Sequence, residues 1–301
     1  MPNLWRRLNN VIICKGGVKM SKEKNNKRKI IIFSIVLIII ISSFILVYFL
    51  GLKPYLEAKR EYDLAVSAVV EKNSVLDKSI KDLQDLINSG ENPLDSKLID
   101  KGNESIKEAQ QLKFVIGKMP LKVEDIKNRT EEIKQPLDYT EIISKLTLDK
   151  DNLENSIKSY KQFDNPTEEF LVNRLSSIDE IYDIEVVTEE HDPNRNLHKD
   201  GGYTVCIYFK DKNLNMSNYS YAKSNSSIDI GTVGGGCIEI YRTSEQASKR
   251  AEYLSLHDGS VLANGTHRAI NTTLIRTSND LTSTQQKALE EKIVNAFAEL
   301  K

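Results

Sequence analysis

Apolar residues follow three successive patterns along this chain. The first is a nearly unbroken apolar run from Ile30 to Leu52, preceded by Lys22, Lys24, Lys27, Arg28 and Lys29. About 20 apolar residues in a helix cross a hydrocarbon core of roughly 30 Å. The polar members Ser34, Ser42 and Ser43 can return their hydroxyls to carbonyls of their own helix. The run therefore reads as a transmembrane helix over residues 30–52. A cleaved signal sequence is the competing reading, but its apolar core usually spans only about 7–15 residues. The basic flank, residues 20–29, predicts a short cytoplasmic tail and places everything after Lys53 outside the membrane.

The second pattern is polar with apolar residues at helical spacing, over residues 53–163. Tyr62, Val69, Leu76, Ile80, Leu83 and Ile87 share one face and predict a helix that stops at Ser89-Gly90-Glu91-Asn92-Pro93, with Pro93 just inside the next start. Leu98, Ile106, Ala109, Leu112 and Ile116 mark a second helix, ended by Gly117-Lys118-Met119-Pro120. A third runs from Val123 to Tyr160, broken or kinked around Pro136. Short connections favour a three-helix antiparallel bundle acting as a stalk, the competing reading being a coiled coil that binds a partner.

The third pattern changes period. Asn165-Pro166-Thr167-Glu168 offers a cap, a first-turn proline and an acidic residue for a helix carrying Phe170, Leu171, Leu175 and Ile178. Strand-like segments follow at Ile181 to Thr188, Tyr203 to Phe209, Gly236 to Tyr241 and Ala269 to Thr277. Helices are expected over Ser244 to Leu256 and Ser283 to Leu300, with Thr243/Gln246 and Thr282/Gln285 as capping boxes and with Leu289, Ile293, Phe297 and Leu300 inward. Residues 164–301 thus read as a small α+β domain in the order α-β-β-β-α-β-α, a mostly antiparallel sheet with helices on one face.

A net charge of −1 gives no basic surplus and argues against a nucleic-acid partner. Residues 1–19 show no amphipathic pattern, and Lys15-Gly16-Gly17-Val18-Lys19 before Met20 is what a purine-rich ribosome-binding sequence yields on translation. Synthesis is expected to start at Met20, leaving residues 1–19 untranslated or disordered.

Candidate chemistry is sparse. Asp192, Asn194, Asn196 and Asp200, with the carbonyl of His198, put oxygens at alternate loop positions as a calcium loop does. Leu197 and Tyr203 stand where such a loop wants glycine and a bidentate carboxylate, and an ordinary turn is the competing reading. No other cofactor is expected. Gly231-Thr232-Val233-Gly234-Gly235-Gly236 lacks the Lys-Ser/Thr of a phosphate loop and leads into a strand, which makes it a turn or bulge. Cys206 and Cys237 alternate to the same side of the sheet, either as a cross-strand disulfide or as two reduced thiols. His191, His198, His257 and His267 sit in no catalytic motif, so no enzyme is expected.

The runs Thr188-Glu189-Glu190-His191-Asp192-Pro193-Asn194 and Leu197-His198-Lys199-Asp200-Gly201-Gly202-Tyr203-Thr204 carry a family resemblance, as do Gly235 to Tyr241, Lys249 to Leu254, and Leu274 to Ser278 with Leu281-Thr282. They resemble a family of membrane-anchored envelope proteins of Gram-positive Firmicutes, some of them labelled after extracellular-matrix-binding adhesins. The resemblance extends over most of the chain after Met20 and implies location and architecture. The expected function is a single-pass envelope protein displaying a binding or adhesion module to an envelope or extracellular protein or polymer. A structural or regulatory subunit of a membrane complex is the alternative, and an envelope hydrolase the third class.

Overall fold

The computed structural model describes residues 13–258 and 265–300. The expectation for residues 1–19 lies, as far as Ile12, outside them. Helix α1 (Ile13–Val47) passes through a π-helical turn (Tyr48–Leu52) into α2 (Lys53–Ile87). This stretch holds the one helix among the described residues that is long and apolar enough to cross a membrane. Its side chains from Ile30 to Leu52 are exposed, so no protein core claims them. Ser42 and Ser43 donate their hydroxyls to the Ile39 carbonyl at 2.9 and 2.7 Å. The π turn accommodates Pro54, whose ring would press on the carbonyl four residues back in a regular helix. Lys53 N–H reaches the Tyr48 carbonyl instead, and the helix continues where two separate elements were expected.

The chain divides into two compact units, Met1–Val75 with Lys113–Tyr139, and Leu76–Leu112 with Thr140–Lys301. In the first, Ala58, Tyr62, Ala65 and Val69 of α2 pack with Ile126 and Ile133 of α4 (Val123–Ile133). Helix α3 (Lys97–Leu112) stops before Ile116, short of the expected end. The reason is tertiary: Phe114 gives its N–H to Tyr139 Oη at 2.7 Å and accepts Asn73 Nδ2 at 2.9 Å, so side chains replace helical partners. Pro93 also lies outside the helix it was expected to start. The third expected helix is two, α4 and α5 (Thr140–Lys161), divided at Pro136.

In the second unit α3 packs against α5. On its other side Gly102 lets α3 approach the end of α2, since a Cβ there would stand 3.0 Å from Ile87 Cδ1. Buried Asp149 accepts Ser105 Oγ at 2.6 Å and pairs with Lys101 at 2.8 Å. The end of α5 leads into the core of the α+β region through fully buried Phe163, whose carbonyl accepts the hydroxyls of Thr272 and Thr273.

That region has α6 (Glu168–Ser176), β1 (Ile181–Val186), β2 (Val205–Asp211), α7 (Ser227–Ile230), β3 (Gly235–Ile240), α8 (Ser244–Ser255), β4 (His267–Ile270), β5 (Thr273–Thr277) and α9 (Ser283–Ala298). The strands form one antiparallel sheet in the order β1-β2-β3-β5-β4. Two expectations change. The segment Ala269 to Thr277 is not one strand but the greater part of a hairpin, turned by Asn271 (φ 50°) and Thr272 between the paired Ile270 and Thr273. Helices also cover both faces instead of one. Ile207, Phe209, Ile238, Ile240 and Ile275 meet α6 and α9, while Cys206, Tyr208, Cys237 and Leu274 meet Ile228 of α7 and Ala247 and Leu254 of α8. Strand β3 is accordingly buried at every position.

Local signals act as expected at most helix starts. Thr282 and Gln285 form a reciprocal capping box, and Thr243 caps α8 through Gln246 N–H. At α6 the cap is Thr167 in place of Asn165, which adopts φ 47° and leaves Pro166 ahead of the helix. Leu300 lies past the end of α9 and is exposed.

Candidate functional site

The second face of the sheet carries a cleft of about 530 Å³ between the β1–β2 loop, α7 and α8. Its walls include Asn194 and Tyr208 on one side, Asp229 and Thr232 on another, and Arg250, Tyr253 and His257 along α8. Arg276 of β5 also lines it. A volume in this range suits a small ligand or the end of a chain.

Beneath the cleft lies a charged network. Glu239, next to the last residue of β3, is fully buried. Its Oε1 accepts Arg276 Nη1 at 2.6 Å, and its Oε2 accepts the Tyr241 hydroxyl at 2.6 Å. Arg250 Nε stands 3.6 Å from the same Oε2. Two guanidinium groups thus surround one carboxylate. Burial alone would lower the Arg276 pKa, yet the charge of Glu239 and its hydrogen bond raise it, so this side chain stays cationic. Arg250, with 29% of its side chain exposed, lies over the Tyr253 ring at 5.4 Å, and His257 meets the same ring edge-on at 5.3 Å. On the α7 side, Ser224 and His191 hydrogen-bond Asp229 at 2.6 and 2.9 Å and hold its carboxyl below the usual range.

Cys206 and Cys237 project to this face, but in register Cys206 lies opposite Glu239 and Cys237 opposite Tyr208. They are diagonal neighbours across the β2–β3 pair, close enough for their thiols to interact. Both are buried free thiols. Burial, together with the thiol–thiol hydrogen bond, raises the Cys206 pKa. Thr232 Oγ1 lies 3.6 Å from Cys237 Sγ, between that thiol and the cleft.

The candidate calcium residues form a tight loop of their own. Asp192 Oδ1 accepts the Asn194 N–H at 2.9 Å and the Tyr203 hydroxyl, while its Oδ2 accepts the N–H groups of Asn196 and Leu197 at 2.6 and 2.7 Å. Asn194 Nδ2 turns to Tyr208 Oη at 3.1 Å. His198 adopts φ 60°, gives its N–H to the Tyr203 carbonyl and sets Nδ1 3.1 Å from Glu189. Asp200 is exposed, and Leu197 turns inward to the core. Among the described residues no group of three His, Cys, Asp or Glu side chains is placed to hold a metal.

Asp192 thus anchors the loop that forms one cleft wall. Burial would raise its pKa, but the bonds from Tyr203 and from the N–H groups of Leu197, Asn194 and Asn196 outweigh this and lower it. A depressed folded-state pKa contributes stability present above the unfolded value and lost as pH falls through the folded one. Asp192→Ala is therefore expected to cost about 1–3 kcal/mol at neutral pH. The deficit relative to the parent chain should shrink in acid, as read from thermal unfolding. Millimolar calcium is expected to leave the parent melting temperature unchanged; a calcium-induced rise abolished by Asp192→Ala would instead assign the loop to the metal.

The network of Glu239, Arg250 and Arg276 carries no motif in the sequence, where each residue is only a charge within a strand- or helix-forming segment. Comparison with family models, with curated proteins and with solved structures finds no match.

Proposed function

We propose that this chain is a single-pass protein of the cell envelope, with residues 20–29 in the cytoplasm and an α+β head outside that binds a carboxylate-bearing partner in its cleft. The helices between the apolar run and the head serve as a spacer in this reading, and no catalytic step is involved. The basic flank before Ile30 supports the orientation. One observation carries the binding role: Arg250 and Arg276 gather around a single buried carboxylate, with Arg250 partly exposed in the cleft. A guanidinium presents several N–H groups in a planar fork, which matches a carboxylate and suits a peptide terminus or an acidic sugar. Tyr253 and Leu254 offer the apolar surface for the neighbouring part of the ligand.

The test is equilibrium binding of a fluorescent peptide with a free C-terminal carboxylate to the full chain in detergent, beside its C-terminal amide and a uronate sugar. The acid is expected to bind and the amide to bind at least tenfold more weakly, about 1.4 kcal/mol. Arg250→Ala should remove that preference. Preference for the uronate would identify a sugar source of the same group. Equal binding of acid and amide, or none by either acid, would overturn the reading.

A further inference from the structure

The unit that contains the apolar helix also contains the loop before α4, where Tyr62 Oη of α2 donates to the Gly117 carbonyl at 3.3 Å, and the segment after α4 is tied down as well. Tyr139 Oη donates to Asn73 Oδ1 at 2.8 Å, and Lys72 Nζ donates to the Leu137 carbonyl. Lys134, just past α4, pairs with Glu61 at 3.1 Å, so the chain climbs from the level of Glu61 to that of Asn73 only after α4 has ended. The 11 residues of α4 then run back about 16 Å toward the start of α2. Val123 and Met119 accordingly pack on the cluster that holds Tyr55 and Ala58. The turn Lys118 to Lys122 is thus placed beside the first turns of α2, next to the end of the apolar run at Leu52.

The exposed side chains of this turn are Lys118, Leu121 and Lys122. Leu121 is 88% exposed, more than any large apolar residue of the run itself, where Leu50 reaches 74%. A single exposed leucine is ordinary on a protein surface. With the apolar run spanning a bilayer, it would stand near the bilayer surface, between two lysines whose stems can follow it and whose ammonium groups can reach lipid phosphates. The nearby acidic groups have other roles: Glu57 pairs with Lys53 at 3.8 Å, and Glu124 and Asp125 occupy the first turn of α4, where they complement the helix dipole.

We infer that Lys118 to Lys122 is a second membrane contact, with Leu121 seated in the outer leaflet and Lys118 and Lys122 at the phosphates. This rests on the apolar run spanning the membrane with the later residues outside. The contact would fix how the first unit stands on the bilayer.

The chain has a single tryptophan, Trp5, so tryptophan depth measurements are direct. In the Trp5→Phe background, Leu121→Trp, Val115→Trp and Ile40→Trp are each placed in nanodiscs with lipids brominated near the top of the acyl chain. Val115, 80% exposed and close to Phe114, which is tied to Asn73, controls for the tryptophan's own affinity for interfaces. Quenching at position 121 is expected to reach about half that at position 40 or more, with little at 115. Quenching at 40 but not at 121 overturns the inference alone. No quenching at 40 overturns the spanning reading and the inference with it. A blue shift at 121 without bromine quenching means that protein covers the turn, which also overturns the inference.

Discussion

Arg276→Met is expected to destabilise the α+β region by about 3–5 kcal/mol, because it strips a fully buried carboxylate of its 2.6 Å charged partner. Tyr241 still donates to Glu239 in the variant, and Arg250 remains at 3.6 Å, but neither replaces the lost pair. Spread over a region of this size, the loss should lower the unfolding midpoint by roughly 10 °C. The double variant Glu239→Gln with Arg276→Met should recover much of it, since burying a neutral amide costs far less than burying a lone charge. Thermal unfolding of the four members of this cycle, followed by circular dichroism in detergent, measures the coupling directly. Additive losses would show that the pair is not an interacting unit. Arg276 lines the proposed binding cleft and Glu239 lies buried beneath it, so the pair couples the stability of the sheet to the geometry of its polar face.

That pair also shows where the sequence stopped being readable. Alternation in Cys237-Ile238-Glu239-Ile240 put the isoleucines inward, and they do lie in the core with α6 and α9. It puts Glu239 on the opposite face, beside Cys237, and alternation alone does not say whether that face meets water or a second layer. A second layer of helices covers that face, where helices were expected on one side of the sheet only. Its members, α7 and α8, expose few apolar residues in sequence, and the partner of Glu239 lies 37 positions away. The hairpin was hidden for a related reason: Asn271-Thr272 lacks the glycine that usually announces a two-residue turn, so Ala269 to Thr277 read as one strand. Helices with local punctuation fared better. The end at Ile87, the division at Pro136 and the caps at Thr243 and Thr282 all follow from residues within a few positions of the boundary. The early end of α3 at Leu112 does not, since it depends on Asn73 and Tyr139.

Gly236→Val should be at least as damaging as loss of Arg276. The glycines here read in sequence as a flexible turn, and Gly231, with φ 79°, does end α7 in that way. Gly236 has a different task. It pairs with Phe209 on one side and Thr277 on the other, in the central strand of the sheet. A Cβ there would lie 2.4 Å from the Arg276 carbonyl oxygen and 2.5 Å from Phe209 Cζ. The first obstacle is backbone, which moves only if the β3–β5 ladder opens; the second is a core ring with no exposed surface. Even alanine meets both, and valine adds two methyl groups to a site with no room for one. Overpacking of a core typically costs about 1–3 kcal/mol where side chains can yield. Here the ladder must yield as well, so a loss above that range is expected, with most of the chain recovered unfolded or aggregated. Gly201→Ala is the matched control, because that glycine has a left-handed φ of 72° but nothing within 4 Å of its Cβ position. It should cost only about 1 kcal/mol of backbone strain. Equal losses for the two variants would mean that chain flexibility, and not the close approach of β5 and Phe209, is what Gly236 supplies.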